Sequence, residues 1–111
     1  MADGKYILDG HTPVPVDLMT WARWYENADR RVALTEIRPG IVVSTIFIGS
    51  DMGFGLGRPL LFETAVFDDY GGSEGDRYAT WDEAVAGHVA TVAKLEGQLS
   101  AATSELSSDR A

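Results

Sequence analysis

The spacing of apolar residues predicts one short amphipathic helix early in the chain. From Leu18 onward, apolar side chains recur at intervals of three and four residues, and most charged side chains fall on the opposite side. Asp17 stands directly before this pattern, where an N-cap residue belongs. We therefore expect a helix over residues 17–29. A short strand and turn at residues 5–10 should precede it, followed by an extended segment that Pro13 and Pro15 keep out of the helix.

Three stretches in the middle of the chain are rich in β-branched and apolar residues, namely 30–37, 41–49 and 59–67. This composition is typical of strands that are covered on at least one face. Pro39 and Gly40 suit the central positions of a tight turn, so the first two strands should form a hairpin. The connection over residues 49–59 contains four glycines and separates the second strand from the third.

Residues 68–78 are acidic and rich in turn-forming types, and we interpret them as a loop. Thr80 and Glu83 then match a capping box, which predicts a helix from Trp81 to about residue 100. Its apolar positions alternate at intervals of three and four residues, the pattern of a coiled-coil seam. This spacing predicts that the helix joins copies of the chain through Val85, His88, Val92, Leu95 and Leu99.

These elements predict an α+β fold, in which an antiparallel sheet of three or four strands is packed by two helices and followed by a C-terminal helical extension. The 111 residues suffice for one domain. We assign residues 1–96 to that domain. Residues 97–111 form a tail rich in serine and alanine, which should be either an oligomerising helix or frayed.

Composition excludes several classes of protein. The formal charge of −8 argues against a surface that binds nucleic acid directly, although the acidic stretch leaves mimicry of DNA phosphates as an alternative. The absence of cysteine excludes disulfides, thiolate nucleophiles and cysteine-based metal sites. No stretch is apolar enough for a secretory signal or a membrane helix, so we expect a soluble cytoplasmic protein without membrane contact.

The glycine-rich connection carries large apolar residues, Phe54 and Leu56, between its glycines. It runs into Arg58, Pro59 and a strand rather than into a helix N-terminus, so it does not fit a phosphate-binding loop. Two interpretations stay open. The apolar side chains either fold back as a lid over the core or are presented to a partner.

Polar residues interrupt the two apolar strands on either side of this connection. Glu63 stands inside one, and Ser44 and Thr45 stand inside the other. If the strands pair, their polar centres could meet and place a carboxylate beside hydroxyls. In that interpretation Asp51 and Arg58 form the rim of a pocket. In the alternative, Glu63 faces solvent on an open face of the sheet. The candidate binding residues are Thr45, Asp51, Phe54, Leu56, Arg58 and Glu63.

No catalytic constellation, metal site or cofactor site follows from these residues. The two histidines lie in a turn, at His11, and on the apolar seam, at His88. A histidine on such a seam is more often a core or interface residue than a ligand. The acidic residues of 68–78 lack the spacing of a calcium-binding loop. We therefore predict no catalytic residue, metal or cofactor.

Three segments together resemble a family of small uncharacterised proteins encoded by tailed bacteriophages and prophages. They are residues 43–51 with Phe54, residues 59–64, and residues 77–84, followed by a histidine near the position of His88. The resemblance extends over residues 41–93 and implies a phage origin without a known activity. The matching positions are Ser44, Thr45, Phe47, Asp51, Phe54, Glu63 and Trp81.

The sequence thus predicts a small non-catalytic phage accessory protein, acting in the host cytoplasm, that binds a host protein or a small molecule and forms a homo-oligomer. Antagonism of a host defence is one such role. The alternatives are a virion or assembly protein that docks through its C-terminal helix, an acidic DNA mimic, and an enzyme that uses Glu63 and Asp51.

Overall fold

A computed structural model of the protein describes residues 4–53 and 55–108, with side chains given throughout except at Glu74 and residues 102–108. It contains a two-stranded hairpin, a four-stranded sheet and two helices. The elements in chain order are β1 (Tyr6–Asp9), β2 (Thr12–Pro15), α1 (Leu18–Asn27), β3 (Arg31–Arg38), β4 (Ile41–Phe47), β5 (Phe62–Asp68), β6 (Gly71–Tyr78) and α2 (Trp81–Ser108). The predicted α+β class is confirmed.

The larger sheet is an antiparallel meander with the strand order β3-β4-β5-β6. Gly40 takes a positive φ of 89° in the tight turn between β3 and β4, the backbone conformation for which the sequence Pro-Gly is suited. The prediction of a loop at residues 68–78 is wrong, because residues 71–78 form β6 and pair with β5. Pairing with a strongly β-forming neighbour outweighs the weak strand propensity of this glycine-rich segment.

Both helices begin at the residues that the sequence indicates. The Asp17 carboxylate accepts a hydrogen bond from the Thr20 amide at 2.7 Å, and α1 follows. The Thr80 hydroxyl accepts one from the Glu83 amide at 3.1 Å, which fixes the start of α2. The second helix continues to Ser108, beyond the predicted end near residue 100.

The apolar core lies at one end of the sheet and is built from aromatic rings. Phe47 of β4 and Phe62 of β5 are fully buried, with ring centroids 5.1 Å apart. Trp24 of α1 packs edge-on against Phe47, and Trp81 of α2 packs edge-on against Phe62. The hairpin β1–β2 completes this end through its tip, where His11 stacks on Trp81 with centroids 3.7 Å apart. Both helices therefore cover the same face of the sheet.

Candidate functional site

A chain of hydrogen bonds lies under α2, next to the aromatic core. Thr45 of β4 and Thr64 of β5 are cross-strand partners, and their hydroxyl oxygens are 2.6 Å apart. The Thr45 hydroxyl also bonds to Nδ1 of His88 at 2.8 Å. On the other side of the ring, Nε2 of His88 bonds to the Thr35 hydroxyl of β3 at 2.9 Å. One imidazole of α2 thus connects three strands.

The geometry gives His88 a neutral, structural role. His88 is 4% exposed, and burial lowers the pKa of its imidazole because a charged ring would lose its hydration. A neutral ring has one donor and one acceptor nitrogen, and the two threonine hydroxyls satisfy both. Both of these partners are hydroxyls, so the chain of hydrogen bonds supplies no carboxylate to orient the ring as a general base. This arrangement orders the contact between α2 and the sheet.

The chain of hydrogen bonds ends at two surface grooves that flank α2. Thr64 lines a groove of about 460 Å³ between β6 and α2, which we call the β6-side groove. Thr35 and His88 line a groove of about 270 Å³ between β3 and α2, which we call the β3-side groove. The apolar lining of the β6-side groove includes Val66 and Leu95. Its polar lining comes from Asp76, Tyr78, Thr91, Lys94 and Gln98.

Of the candidate binding residues, Asp51 organises the connection between β4 and β5. Its carboxylate accepts hydrogen bonds from the amides of Gly53, Gly55 and Leu60, at 2.8, 3.0 and 3.1 Å. Partial burial opposes ionisation of this carboxyl group, but the three amide hydrogen bonds together outweigh it and lower the pKa of Asp51. The carboxylate therefore ties these three positions of the connection together.

Arg58 ties the same loop to the start of α2. Its guanidinium makes a two-pronged ion pair with the Glu83 carboxylate, with distances of 3.0 and 3.1 Å. The Arg58 hydrogen bond is the main reason that the pKa of Glu83 is lowered. Glu83 also accepts from the Ala79 amide at 3.2 Å. Arg58 is thus a link between the loop and the helix and does not contact Glu63.

Leu56 lies at the tip of this loop and is 82% exposed. Gly55 and Gly57 on either side of it both have a φ of +77°, a conformation that residues with side chains rarely adopt. The interpretation of Leu56 as a lid over the core is therefore wrong, since the side chain points into solvent. Phe54 lies outside the described residues.

Glu63 does not join the hydroxyl groups, so the expected meeting of polar strand centres is wrong in that respect. In the register, Thr45 faces Thr64, whereas Glu63 faces Ile46. Successive side chains alternate between the two faces of a sheet, so Glu63 lies on the face opposite α2. There its carboxylate accepts from the Arg77 side chain of β6 at 2.9 Å. Glu63 and Asp51 are thus held by separate partners.

The residues of the predicted oligomerisation seam do not all face the same way: some face the protein's own sheet and others face solvent. His88 faces the protein's own sheet, and Leu95 and Leu99 are half-buried along the grooves beside that sheet. Val85 is 39% exposed, and Val89, which the seam did not include, is 62% exposed. At His88, the intervals of three and four residues therefore reflect packing within one chain. The His88 side chain is buried there and is not available to a second copy.

Two members of the buried hydrogen-bond chain, Thr35 and Thr64, were not among the sequence candidates. Strand alternation could have identified Thr64, because it lies two residues after Phe62 and so shares the buried face. Thr45 lies two residues before Phe47 and shares the buried face for the same reason. Thr35 had no such marker, since its strand begins with a register irregularity between Arg31 and Ala33.

No protein-family model, curated protein or solved structure matches this chain. Within residues 4–53 and 55–108, no three histidine or acidic side chains converge in a way that could hold a metal ion. The helices described here include none long and apolar enough to cross a membrane.

Proposed function

We propose that this chain is a small non-catalytic binding protein that holds a protein partner through the loop tip at Leu56. The resemblance implies a phage origin, and a phage accessory protein that binds a host protein would act in this way. The observation that carries the proposal is the exposure of Leu56 on a connection whose Gly53, Gly55 and Leu60 amides bond to the Asp51 carboxylate. An apolar side chain on a backbone held by such bonds loses less conformational entropy on binding.

The surroundings of Leu56 support this role. A cleft of about 490 Å³ lies beside it and is lined by Leu60, Tyr78 and the Arg58–Glu83 pair, among others. An apolar anchor next to an aromatic ring and an arginine is the composition in which binding energy concentrates at protein interfaces. The loop would therefore contribute the anchor, and the cleft would receive a side chain of the partner.

The test is affinity capture from host lysate with quantitative mass spectrometry, comparing Leu56→Ala with Leu18→Ala. Leu18 is a matched control, because it is also an exposed leucine, at 55%, and lies on α1 away from the loop. We expect Leu56→Ala to reduce recovery of the partner at least about tenfold, as for a central anchor residue, and Leu18→Ala to leave recovery unchanged. Equal recovery with both variants would contradict the proposal.

A second candidate function is small-molecule binding in the β6-side groove. Its volume of about 460 Å³ falls in the range of small-ligand sites, and its lining combines apolar side chains with a few polar groups. Native mass spectrometry of the protein purified from its host tests this function. A retained small molecule that is lost in Leu95→Glu, but kept in Leu56→Ala, would favour the groove over the loop.

A further inference from the structure

One edge of the sheet carries apolar and charged groups that the functions proposed above do not use. β3 is the first strand of the order β3-β4-β5-β6, and in the part of the chain that the structure describes no strand pairs with its outer side. An eight-residue edge strand presents unpaired backbone amides and carbonyls, which favour pairing with another strand. We propose that β3 pairs antiparallel with β3 of a second copy, forming a two-fold dimer with one continuous sheet.

The charges on β3 are self-complementary about Leu34. Three residues of β3 lie on the face opposite α2. Their partners on β4 are Ile46 for Arg31, Ser44 for Leu34 and Val42 for Glu36. Because β3 has one extra residue at the irregularity between Arg31 and Ala33, Arg31 and Glu36 are both two β4 positions away from Leu34. A two-fold axis through Leu34 then places each Arg31 directly opposite the partner copy's Glu36. Opposite charges facing each other across two strands stabilise their pairing.

The helix layer offers a matching apolar surface on the same side. Val85, Val89 and Val92 lie on one flank of α2, about a quarter turn from the residues that face the sheet. We call this the valine stripe. Val89 and Val92 line the β3-side groove, together with Glu96 one turn further along α2, and Val89 is 62% exposed. The stripe therefore points sideways, past the edge of β3, toward the position that the second α2 would occupy.

The spacing of the two layers agrees with such a dimer. The His88 ring bonds to Thr35 on β3 and Thr45 on β4, so the ring lies above the gap between these strands. The axis of the dimer would lie half a strand spacing outside β3, about 4.8 Å from that gap. The flank of α2 that carries the valine stripe would then face the same flank of the second α2 across the axis. Leu34 lies at the proposed axis, and its neighbour Thr35 bonds to His88 of α2. The two helices would therefore meet at the next residue of α2, Val89.

A second copy fits this edge better than a foreign strand. A single extended peptide could satisfy the backbone of β3, but it would leave the valine stripe uncovered. The partner must supply a strand edge, an apolar helix flank and the reversed order of charges, all at this spacing. Another molecule of the same chain supplies all three, because a two-fold axis brings the same surface of both copies together.

The first test exchanges the charges and measures the dissociation constant of the dimer by sedimentation equilibrium. Both side chains are exposed, so Arg31→Glu and Glu36→Arg should fold normally. Each single variant places two like-charged pairs in the dimer, and we expect the dissociation constant to rise at least about tenfold. The double variant Arg31→Glu/Glu36→Arg restores opposite pairs and should return the dissociation constant to within about threefold of the original.

The second test uses the absence of cysteine, since any disulfide must come from the introduced residue. At the proposed axis, the two copies of Leu34 lie within the Cα separation that a disulfide needs, so Leu34→Cys should form a covalent dimer on mild oxidation. Ser44→Cys is the matched control, because Ser44 lies beside Leu34 on the same face but one strand further in. Its two copies would be about 14 Å apart, too far for a disulfide.

Three results would overturn the proposal. The first is a wild-type protein that sediments with the mass of one 12.0 kDa chain at millimolar concentration. The second is a dimer whose dissociation constant neither single charge variant changes, which would place the contact elsewhere, for example on β6 or the end of α2. The third is a disulfide that forms as readily in Ser44→Cys as in Leu34→Cys.

Discussion

At the scale of single residues, Thr45 is the centre of the buried polar structure. It is fully buried, and its hydroxyl contacts both Thr64 and His88. A buried donor or acceptor that loses its partner retains the full cost of its lost hydration. The hydroxyl of Thr45 is therefore worth more to stability than its size suggests, because two neighbours depend on it.

We expect Thr45→Val, which keeps the shape of the side chain, to lower the free energy of unfolding by about 1–3 kcal/mol. The reason is that Nδ1 of His88 would be left buried without its partner. Urea denaturation of the two proteins measures the difference. Thr91→Val is the control, since the Thr91 hydroxyl donates to the Gly87 carbonyl of its own helix and joins no strand. An unchanged midpoint for Thr45→Val would contradict this account.

The burial of His88 also predicts how stability depends on pH. The folded state lowers the pKa of this imidazole below its ordinary value of 6.5, so the unfolded chain takes up a proton first as the pH falls. The contribution of His88 is therefore complete above pH 6.5 and decreases below it, by at most about 1.4 kcal/mol per pH unit. Denaturation midpoints measured between about pH 7.5 and 5 show this slope.

The variant His88→Gln should lose that dependence, because an amide does not titrate in this range. The carboxylates of Asp17 and Glu83, whose pKa values are lowered by the Thr20 amide and by Arg58 respectively, lose their contributions only at more acid pH. A slope that persists unchanged in His88→Gln would assign the effect to another group.

At the scale of elements, the sequence predicted those whose residues satisfy local rules. Asp17 and Thr80 cap their helices as the sequence indicates, and the strands rich in β-branched residues are present. β6 could not be predicted in this way, because it consists largely of glycine and charged residues and is ordered by pairing with β5. Its register depends on an irregularity between Glu63 and Ala65, which no local pattern indicates.

Gly75 shows how β6 depends on that irregularity. A Cβ atom at this position would overlap the backbone carbonyl of Thr64. Gly75→Ala should therefore force the strands apart and destabilise the protein. Gly97→Ala, within α2 where an added Cβ atom meets open space, should stabilise it by about 0.5–1 kcal/mol. Thermal unfolding of the two variants gives shifts of opposite sign. A Gly75→Ala variant as stable as the wild type would show that β6 tolerates a side chain there.

At the scale of the whole molecule, the candidate site could be predicted only in part, because distant segments create it. The sequence identified Thr45 and the seam position of His88, but Thr35, Thr45 and Thr64 meet His88 only once the strand order and the position of α2 are known. Likewise Asp51 and Arg58 were recognised as polar loop residues. Their partners, the loop amides and Glu83, depend on how the loop crosses to the start of α2.

The hairpin β1–β2 is joined to the rest of the molecule at its two ends. Its tip stacks through His11 on Trp81, and at its base the Tyr6 amide donates to the Gly49 carbonyl at 2.8 Å. Tyr6 and Leu8 of β1 also pack against the core, but the hairpin is a separate two-stranded sheet, so it should open more easily than the four-stranded sheet. His11→Ala removes the contact at the tip, and we expect faster hydrogen exchange at the hairpin amides with unchanged exchange in the centre of β4.

Asp9→Ala is the control, because this exposed residue of β1 alters the hairpin without touching the stack. Equal acceleration in the hairpin and in β4 would instead mean that the two unfold as one unit, and that the stack stabilises the whole domain.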